Sequence, residues 1–472
     1  METLGKATIG SAMKAFRRGV VVATSLATTA VLVPAAWAGD PSNTEMVKEF
    51  QNMKSEIRAL QQKTNTLELR NAEKDSQIKS LEGQVQKTNE DLTGMSAYNF
   101  VKDVEVSGYV STIFTDTLTN PSDQTRRLGV FETNSHSFNN SAFKLVFEKP
   151  TSNESRAGFR VDILSGETGR LLGNATSDVP TGSTGLDDFE LEQAYVTYKA
   201  DLGDGLDIYA GKFVTLLGAE VIESPLNYNI SRSILFGFAI PFTHTGIRAT
   251  YPLTDKISVT AGVNNGWDNN DDLNHGYSYE GQVAWSPNDD FSLSVNGIWG
   301  PEQVGIERRK RGVVDVVANW TPTDKLTLIG NFDWGHESGV TVTHENIIYV
   351  TEPDPNAVPP FSSNMITAVD QSYNSKTVAD WYGGALVANY QFTDRFGLAG
   401  RAEYFVDADG SRTGLSQDLW EFSVTPAFWV TPKLLARLEF RTDHSSDKYF
   451  LQGSQPANHQ ETVFGEVAYL FP

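Results

Sequence analysis

The chain has 472 residues, 38 basic and 59 acidic, a net charge of −21 and no cysteine. That charge argues against nucleic acid as a partner, and the missing thiols exclude a disulfide framework, a thiolate metal site and a c-type haem. Only 39% of residues are hydrophobic while glycine (39 residues) and aromatics (11%) are plentiful, which is lean for an ordinary soluble core of this length but suits a barrel with a polar lumen.

The first element in chain order is a targeting signal. Lys14, Arg17 and Arg18 precede an apolar run from Gly19 to Ala36, which closes with the small-x-small pattern Ala36-Trp37-Ala38. Residues 1–38 therefore read as a secretory signal peptide. They carry four basic side chains and one acid, so the remainder carries −24. Beyond them no apolar stretch reaches the 18 residues that a transmembrane helix needs.

Residues 39–98 read as a coiled-coil segment, expected in the periplasm. One seam of the heptad is Phe50, Ile57, Thr64, Asn71, Ile78, Val85, Leu92. The other is Met53, Leu60, Leu67, Lys74, Leu81, Thr88, Met95. Asn71 and Lys74 put polar groups at seam positions, where they weaken packing but help fix register and partner number.

Residues 99–472 read as strands. "YPLTDKISVTAGVNNGW" from Tyr251, "WSPNDDFSLSVNGIWG" from Trp285, "WTPTDKLTLIGNFDWG" from Trp320, "YQFTDRFGLAGRAEYF" from Tyr390 and "WVTPKLLARLEF" from Trp429 share one plan. Each has an aromatic, a tight turn and then alternation of apolar and polar side chains, the period of a strand with one apolar face. Strands begin near Val104, Ser141, Arg156, Phe189, Leu206, Phe242, Lys256, Gly276, Asp290, Gly312, Lys325, Val378, Arg395, Gln417, Lys433 and Glu461. About 16 strands, joined by seven short turns on one side and eight longer loops on the other, predict an all-β, antiparallel transmembrane β-barrel in a bacterial outer membrane. An open sheet edge in lipid would leave backbone groups unpaired, so closure is required. Tyr198, Tyr251, Trp285, Trp320, Tyr390 and Trp429 are the expected periplasmic aromatic girdle, and Trp267, Trp299 and Trp334 part of the outer one.

"YAGKFVTLLGAEVI", "NYNISRSILFGFAIPFTHTGIRATY" and "AGVNNGWD", between Tyr209 and Asp268, resemble the OmpL-like beta-barrel porin-2 family of outer-membrane porins. The resemblance implies passive diffusion of small hydrophilic solutes and names no particular solute. Families of this architecture commonly end on an aromatic residue; this chain ends Phe471-Pro472.

Parity selects the pore lining. With Leu326, Leu328 and Phe332 toward lipid, Asn331 and Asp333 face the lumen. So do Arg160, Asp162, Arg248, Glu280, Gln282, Asp315, Arg401, Glu403, Arg437, Glu439, Arg441 and Glu466, because a charge on the lipid face at midplane costs ~2–4 kcal/mol for Arg or Lys. Structural salt bridges across the wall are the competing role for each. The third outer loop, Thr215 to Pro241, is the expected constriction, by likeness to general porins that fold this loop inward. Its "ILFGFAIPF" is too apolar for a free loop. Glu220, Glu223, Asn227, Asn229 and Arg232 are its candidate residues. Its two acids are expected to stand across the pore from a basic strip of Arg401, Arg437 and Arg441.

Catalytic and cofactor motifs are not evident. The seven histidines are scattered without metal spacing, and Leu273 stands where a calcium loop begun at Asp268 needs glycine. No cofactor is expected. Arg308-Arg309-Lys310-Arg311, placed in an outer loop, are candidates to meet lipopolysaccharide phosphates. The sequence thus predicts a porin, with homo-oligomerisation, a trimer foremost, as the expected assembly. The second reading is an envelope structural protein, a barrel anchor tethering the outer membrane to the cell wall through its coiled coil.

Overall fold

The computed structural model describes residues 41–94, 102–175, 189–339 and 378–472. The signal peptide lies outside the described residues. The chain divides into two compact units, 1–99 and 100–472.

The first unit is one helix, α1 (Pro41–Gly94). The seam side chains Phe50, Met53, Ile57, Leu60, Leu67, Ile78, Leu81 and Val85 are exposed.

The second unit is a closed antiparallel barrel. Its strands are β1 (Glu105–Thr117), β2 (Ser137–Lys149), β3 (Ala157–Ser165), β4 (Phe189–Ala200), β5 (Leu206–Val214), β6 (Thr243–Thr254), β7 (Ile257–Asn264), β8 (Ser278–Asn288), β9 (Phe291–Gln303), β10 (Ile306–Thr323), β11 (Leu326–Ser338), β12 (Val378–Thr393), β13 (Phe396–Asp407), β14 (Gln417–Thr431) and β15 (Leu434–Ser445). A small hairpin, β16 (Phe450–Gln452) and β17 (Gln455–Ala457), decorates the loop before β18 (His459–Phe471). Each wall strand pairs with its sequence neighbours, and β18 pairs with both β15 and β1, closing a ring of 16 strands. A short helix, α2 (Glu167–Ala175), follows β3.

The repeated turns have a local cause. The hydroxyl oxygens of Thr254, Thr323, Thr393 and Thr431 each accept from the backbone N–H groups two and three positions on, at 3.0–3.4 Å. This hydroxyl cap, followed by Asp or Pro and then Lys or Arg, closes the hairpins β6–β7, β10–β11, β12–β13 and β14–β15. The ladder slips at each of these turns.

Burial is inverted relative to a water-soluble protein. Val196, Val283, Phe332, Leu386, Phe422, Leu438 and Val467, on seven different strands, are exposed, whereas Asp162, Asp315, Asp333, Glu421, Arg441 and Asp443 are fully buried. The apolar positions therefore form the outer belt and the polar ones fill the inside, as lipid outside and water within require.

Five sequence expectations need correction. β10 begins at Ile306 rather than Gly312, so Arg308, Arg309, Lys310 and Arg311 lie in a strand, not in a loop. The loop expected before it is a tight turn at Val304-Gly305, with Gly305 at φ +69°. β2 starts at Ser137, four residues before Ser141. Trp267 is not in the outer girdle: its ring meets Trp381 edge-on at 6.3 Å and packs on the buried core. Trp429 faces inward, paired with buried Leu435, while its neighbours Phe428 and Val430 are exposed. Parity outranks mere nearness to the turn, and Phe428 takes the outward place. Tyr198, Trp285, Trp320, Tyr390, Trp299 and Trp334 are exposed outside.

Candidate functional site

The connection between β5 and β6 enters the barrel. It touches strands far apart around the ring, which only an interior segment can do. Gly218 N–H donates to Asp315 on β10 (3.1 Å) and Ala219 N–H to Asn331 on β11 (3.2 Å). Ile234 and Leu235 N–H donate to Glu403 on β13 (2.7 and 3.1 Å). Asn229 donates to Thr425 on β14 (2.8 Å), and Ile230 N–H to Glu439 on β15 (2.5 Å). Glu223 reaches back to Lys144 on β2. The wall's charged side chains thus satisfy backbone groups that a buried loop would otherwise leave unpaired.

The loop's apolar run is its anchor. A 3-10 turn at Ser224–Leu226 and a single π-helical turn at Leu235–Ala239 fold it compactly. Leu217, Ile222, Ile234, Leu235, Phe236 and Ile240 are buried in one cluster with Phe131, Trp381 and Phe405. Gly335 makes room: a Cβ there would lie 2.0 Å from the Trp381 ring. Trp381 Nε1 donates to Ala239 O (3.1 Å) and Arg412 Nε to Phe238 O (2.6 Å). The Arg412 guanidinium lies 4.8 Å from the Trp267 ring centre and 5.0 Å from that of Trp381. Burial, with Arg311 nearby, lowers the Arg412 pKa to about 10.

The candidates of the loop separate by environment. Glu220 meets Arg401 at 2.6 Å, and Arg401 also holds Glu421 at 3.0 Å. Arg232 pairs with Glu132, from the β1–β2 connection. Asn227 O accepts from Arg437 (2.6 Å), and Asn229 is buried. The acids and the arginine strip are consequently not opposed across water: Glu220 is in contact with it, and Glu223 belongs to Lys144. Arg437 pairs with Glu466, and Arg441 with Asp443 at 2.7 Å. The exposed side chains of the loop are Val221, Leu226 and Tyr228.

The remaining wall candidates also occupy the inner side. Arg160 pairs with Asp162 (2.8 Å) and Glu148 (3.0 Å), Arg248 with Glu280 (2.7 Å), and Gln282 donates to Asn296 (2.8 Å). Asn331 donates to Asp315 (2.7 Å). Asp333 is buried, paired in the ladder with Asp315. The loop covers the β10–β15 side. On the opposite side, along β3–β8, Arg160, Tyr195, Tyr209, Thr250 and Gln282 stay half-exposed.

Two interior residues were missed. Lys144 Nζ sits among Asp162 (2.9 Å), Glu192 (2.6 Å) and Glu223, three carboxylates whose oxygens lie within 4.8 Å of one another. Its ammonium fills the place a metal cation would take. Its parity was readable, because Phe143, Leu145 and Phe147 flank it on the outward face. Glu192 was not readable. It is the extra residue of a β-bulge, between Leu191 paired to Ile163 and Gln193 paired to Asp162, so both Glu192 and Gln193 are buried.

A closed barrel of 16 strands with an apolar outer belt, aromatic interfaces and an inward-folded loop is the architecture of an outer-membrane porin, a channel-forming protein. Residues 103–471 match the profile of the family described as beta-barrel porin-2, OmpL-like, and the chain belongs to that family. The fold is similar to that of the anion-selective porin from Comamonas acidovorans, at 10% identity and a TM-score of 0.50, covering 78% of this chain and 99% of that one. The outer membrane channel DcaP of Acinetobacter baumannii (11% identity, TM-score 0.49) and OmpT of Vibrio cholerae (12%, 0.47) each align over 78% of this chain and 97% of their own. No curated protein matches.

Proposed function

We propose that the porin passes small hydrophilic solutes and ions by diffusion, and that the loop between β5 and β6 displaces the aqueous path toward the β3–β8 wall. The observation that carries this is the one-sided attachment of the loop: its hydrogen bonds run to β10, β11, β13–β15 and, through Glu223, β2, all on the arc from β10 round through β18 and β1 to β2, while Arg160, Tyr195, Tyr209, Thr250 and Gln282 on β3–β8 stay half-exposed. The fourteen wall residues then divide. Arg160 and Gln282 border the path. Asp315, Asn331, Arg401, Glu403, Arg437, Glu439 and Arg441 hold the loop, and with the remaining wall residues and the loop's Glu220, Glu223, Asn229 and Arg232 they set the fixed field that a permeating ion meets. Val221, Leu226 and Tyr228 supply the loop's own edge of the passage.

The finer assignments belong to the same reading. Residues 1–38 are the export signal and 39–98 a periplasmic coiled coil. The barrel assembles as a homo-oligomer, a trimer foremost. Arg308 and Lys310, beyond Gly312 and the exposed Trp299 ring, suit the phosphates of outer-leaflet lipopolysaccharide. Single-channel conductance of the purified chain in planar bilayers is the test. Discrete, salt-dependent steps support the porin. Silence of a correctly folded barrel would favour the anchor reading, in which the packed interior is a plug and α1 a tether.

A further inference from the structure

We infer that α1 binds second copies of itself in parallel and in register. This rests on the homo-oligomer reading and adds its direction and pairing. The helix leaves Phe50, Ile57, Leu60, Leu67, Leu81 and Val85 exposed along one heptad seam, with no partner in this chain among the described residues. A stripe of that kind is stable in water only when another helix covers it.

The charges flanking the seam select the partner. Placing Phe50 at a puts Glu49, Lys63 and Arg70 at g and Lys54, Glu68 and Asp75 at e. In a parallel, in-register bundle each g residue faces the e residue five positions on in the neighbouring copy. That gives Glu49–Lys54, Lys63–Glu68 and Arg70–Asp75, all attractive. The other such contacts of the helix each include a glutamine or asparagine, so none sets like charges together. Antiparallel packing with full overlap of Pro41–Gly94 is less favourable. It faces e with e and g with g, bringing Glu68 against Glu68 and Arg70 against Arg70 of the other copy, with only Lys54–Glu82 attractive in return. Like charges in such positions choose against the wrong orientation. The Asn71–Lys74 layer is polar in either arrangement. In the parallel one the Lys74 stem can run out of the seam toward Asp75 of the adjacent copy.

The cysteine-free chain makes the test direct. Leu60→Cys, Leu81→Cys and, on the far face, Ser76→Cys are introduced singly into the full chain, oxidised in detergent and weighed by light scattering. Heat-modifiable migration confirms that each barrel has folded. Same-residue disulfides at both 60 and 81, none at 76, and an oligomeric mass are expected. Lys63→Glu should weaken assembly several-fold, and Lys63→Glu with Glu68→Lys should restore it. An oligomeric mass without same-residue disulfides, or a charge swap that fails to restore assembly, overturns the parallel pairing and leaves the homo-oligomer standing. A monomeric mass overturns both.

Discussion

Glu220, on the loop inside the barrel, and Arg401, on strand β13, form a 2.6 Å ion pair across 181 residues of sequence. Arg401 keeps a second partner in Glu421, so the loop acid can be neutralised without leaving the guanidinium unpaired.

Glu220→Gln therefore makes the interior one charge more positive while Arg401 stays paired with Glu421. The reversal potential of planar-bilayer currents under a salt gradient should move toward anion preference. The shift should be clear near 0.1 M salt, where the Debye length is ~10 Å, and fade toward 1 M, where it is ~3 Å. An unchanged value at low salt would place the solute path away from this pair.

The displaced path has an accessibility signature. Gln282→Cys on β8 should react with a small charged thiol reagent and lose current, because that side chain is half-exposed in the lumen. Ser423→Cys on β14 lies buried where the loop attaches and should stay silent. Modification of position 423 but not 282 would put the passage on the other wall.

Register is tested by neighbours. Leu328, paired with Trp320 on the outward face, and Thr327, on the inward parity, differ by one residue. Leu328→Arg should impair heat-modifiable folding by exposing a charge to lipid, at ~2–4 kcal/mol near midplane, whereas Thr327→Arg should fold.

Period-2 patterning made the strands, their number and nearly all of their starts legible, because each membrane strand must show one apolar face. The same parity sorted Arg401, Glu403, Arg437 and Asp315 to the inside. It could not pair them. Whether a lumen charge meets water, another strand or the loop depends on ring closure and on side chains hundreds of positions apart. Period also fails where it is broken: Glu192 turns inward through a bulge, and Trp267 sits in a loop that carries no alternation.

Asp268 offers a pH test outside the wall. Its Oδ1 accepts from Phe242 N–H (2.6 Å) and Thr243 N–H (2.9 Å), securing the point where the inner loop rejoins β6. Burial pushes its pKa from 3.8 up to about 7. The folded state thus holds the proton more tightly, so this group's stability is fully present below about pH 4 and is lost as pH rises through 7. Asp268→Asn keeps the acceptor without the charge. Its heat-modification midpoint should match the parent below pH 4 and exceed it at pH 8. A lower midpoint at pH 8 would contradict the assignment.

The reach of the inner loop also constrains the order of assembly. Ser231 binds Glu439, 208 positions later in the chain, while Glu223 binds Lys144, which precedes it. The loop cannot be completed when β5 and β6 form; it must wait, inside an unfinished ring, for β13, β14 and β15 to arrive. Contacts of such sequence separation are slow to close. The charged partners Glu403 and Glu439 sit on the arriving strands, while the loop offers them backbone N–H groups at Ile234, Leu235 and Ile230. The β1–β18 seam then closes around contents already in place, and retention of the interior becomes a property of the last strand pair.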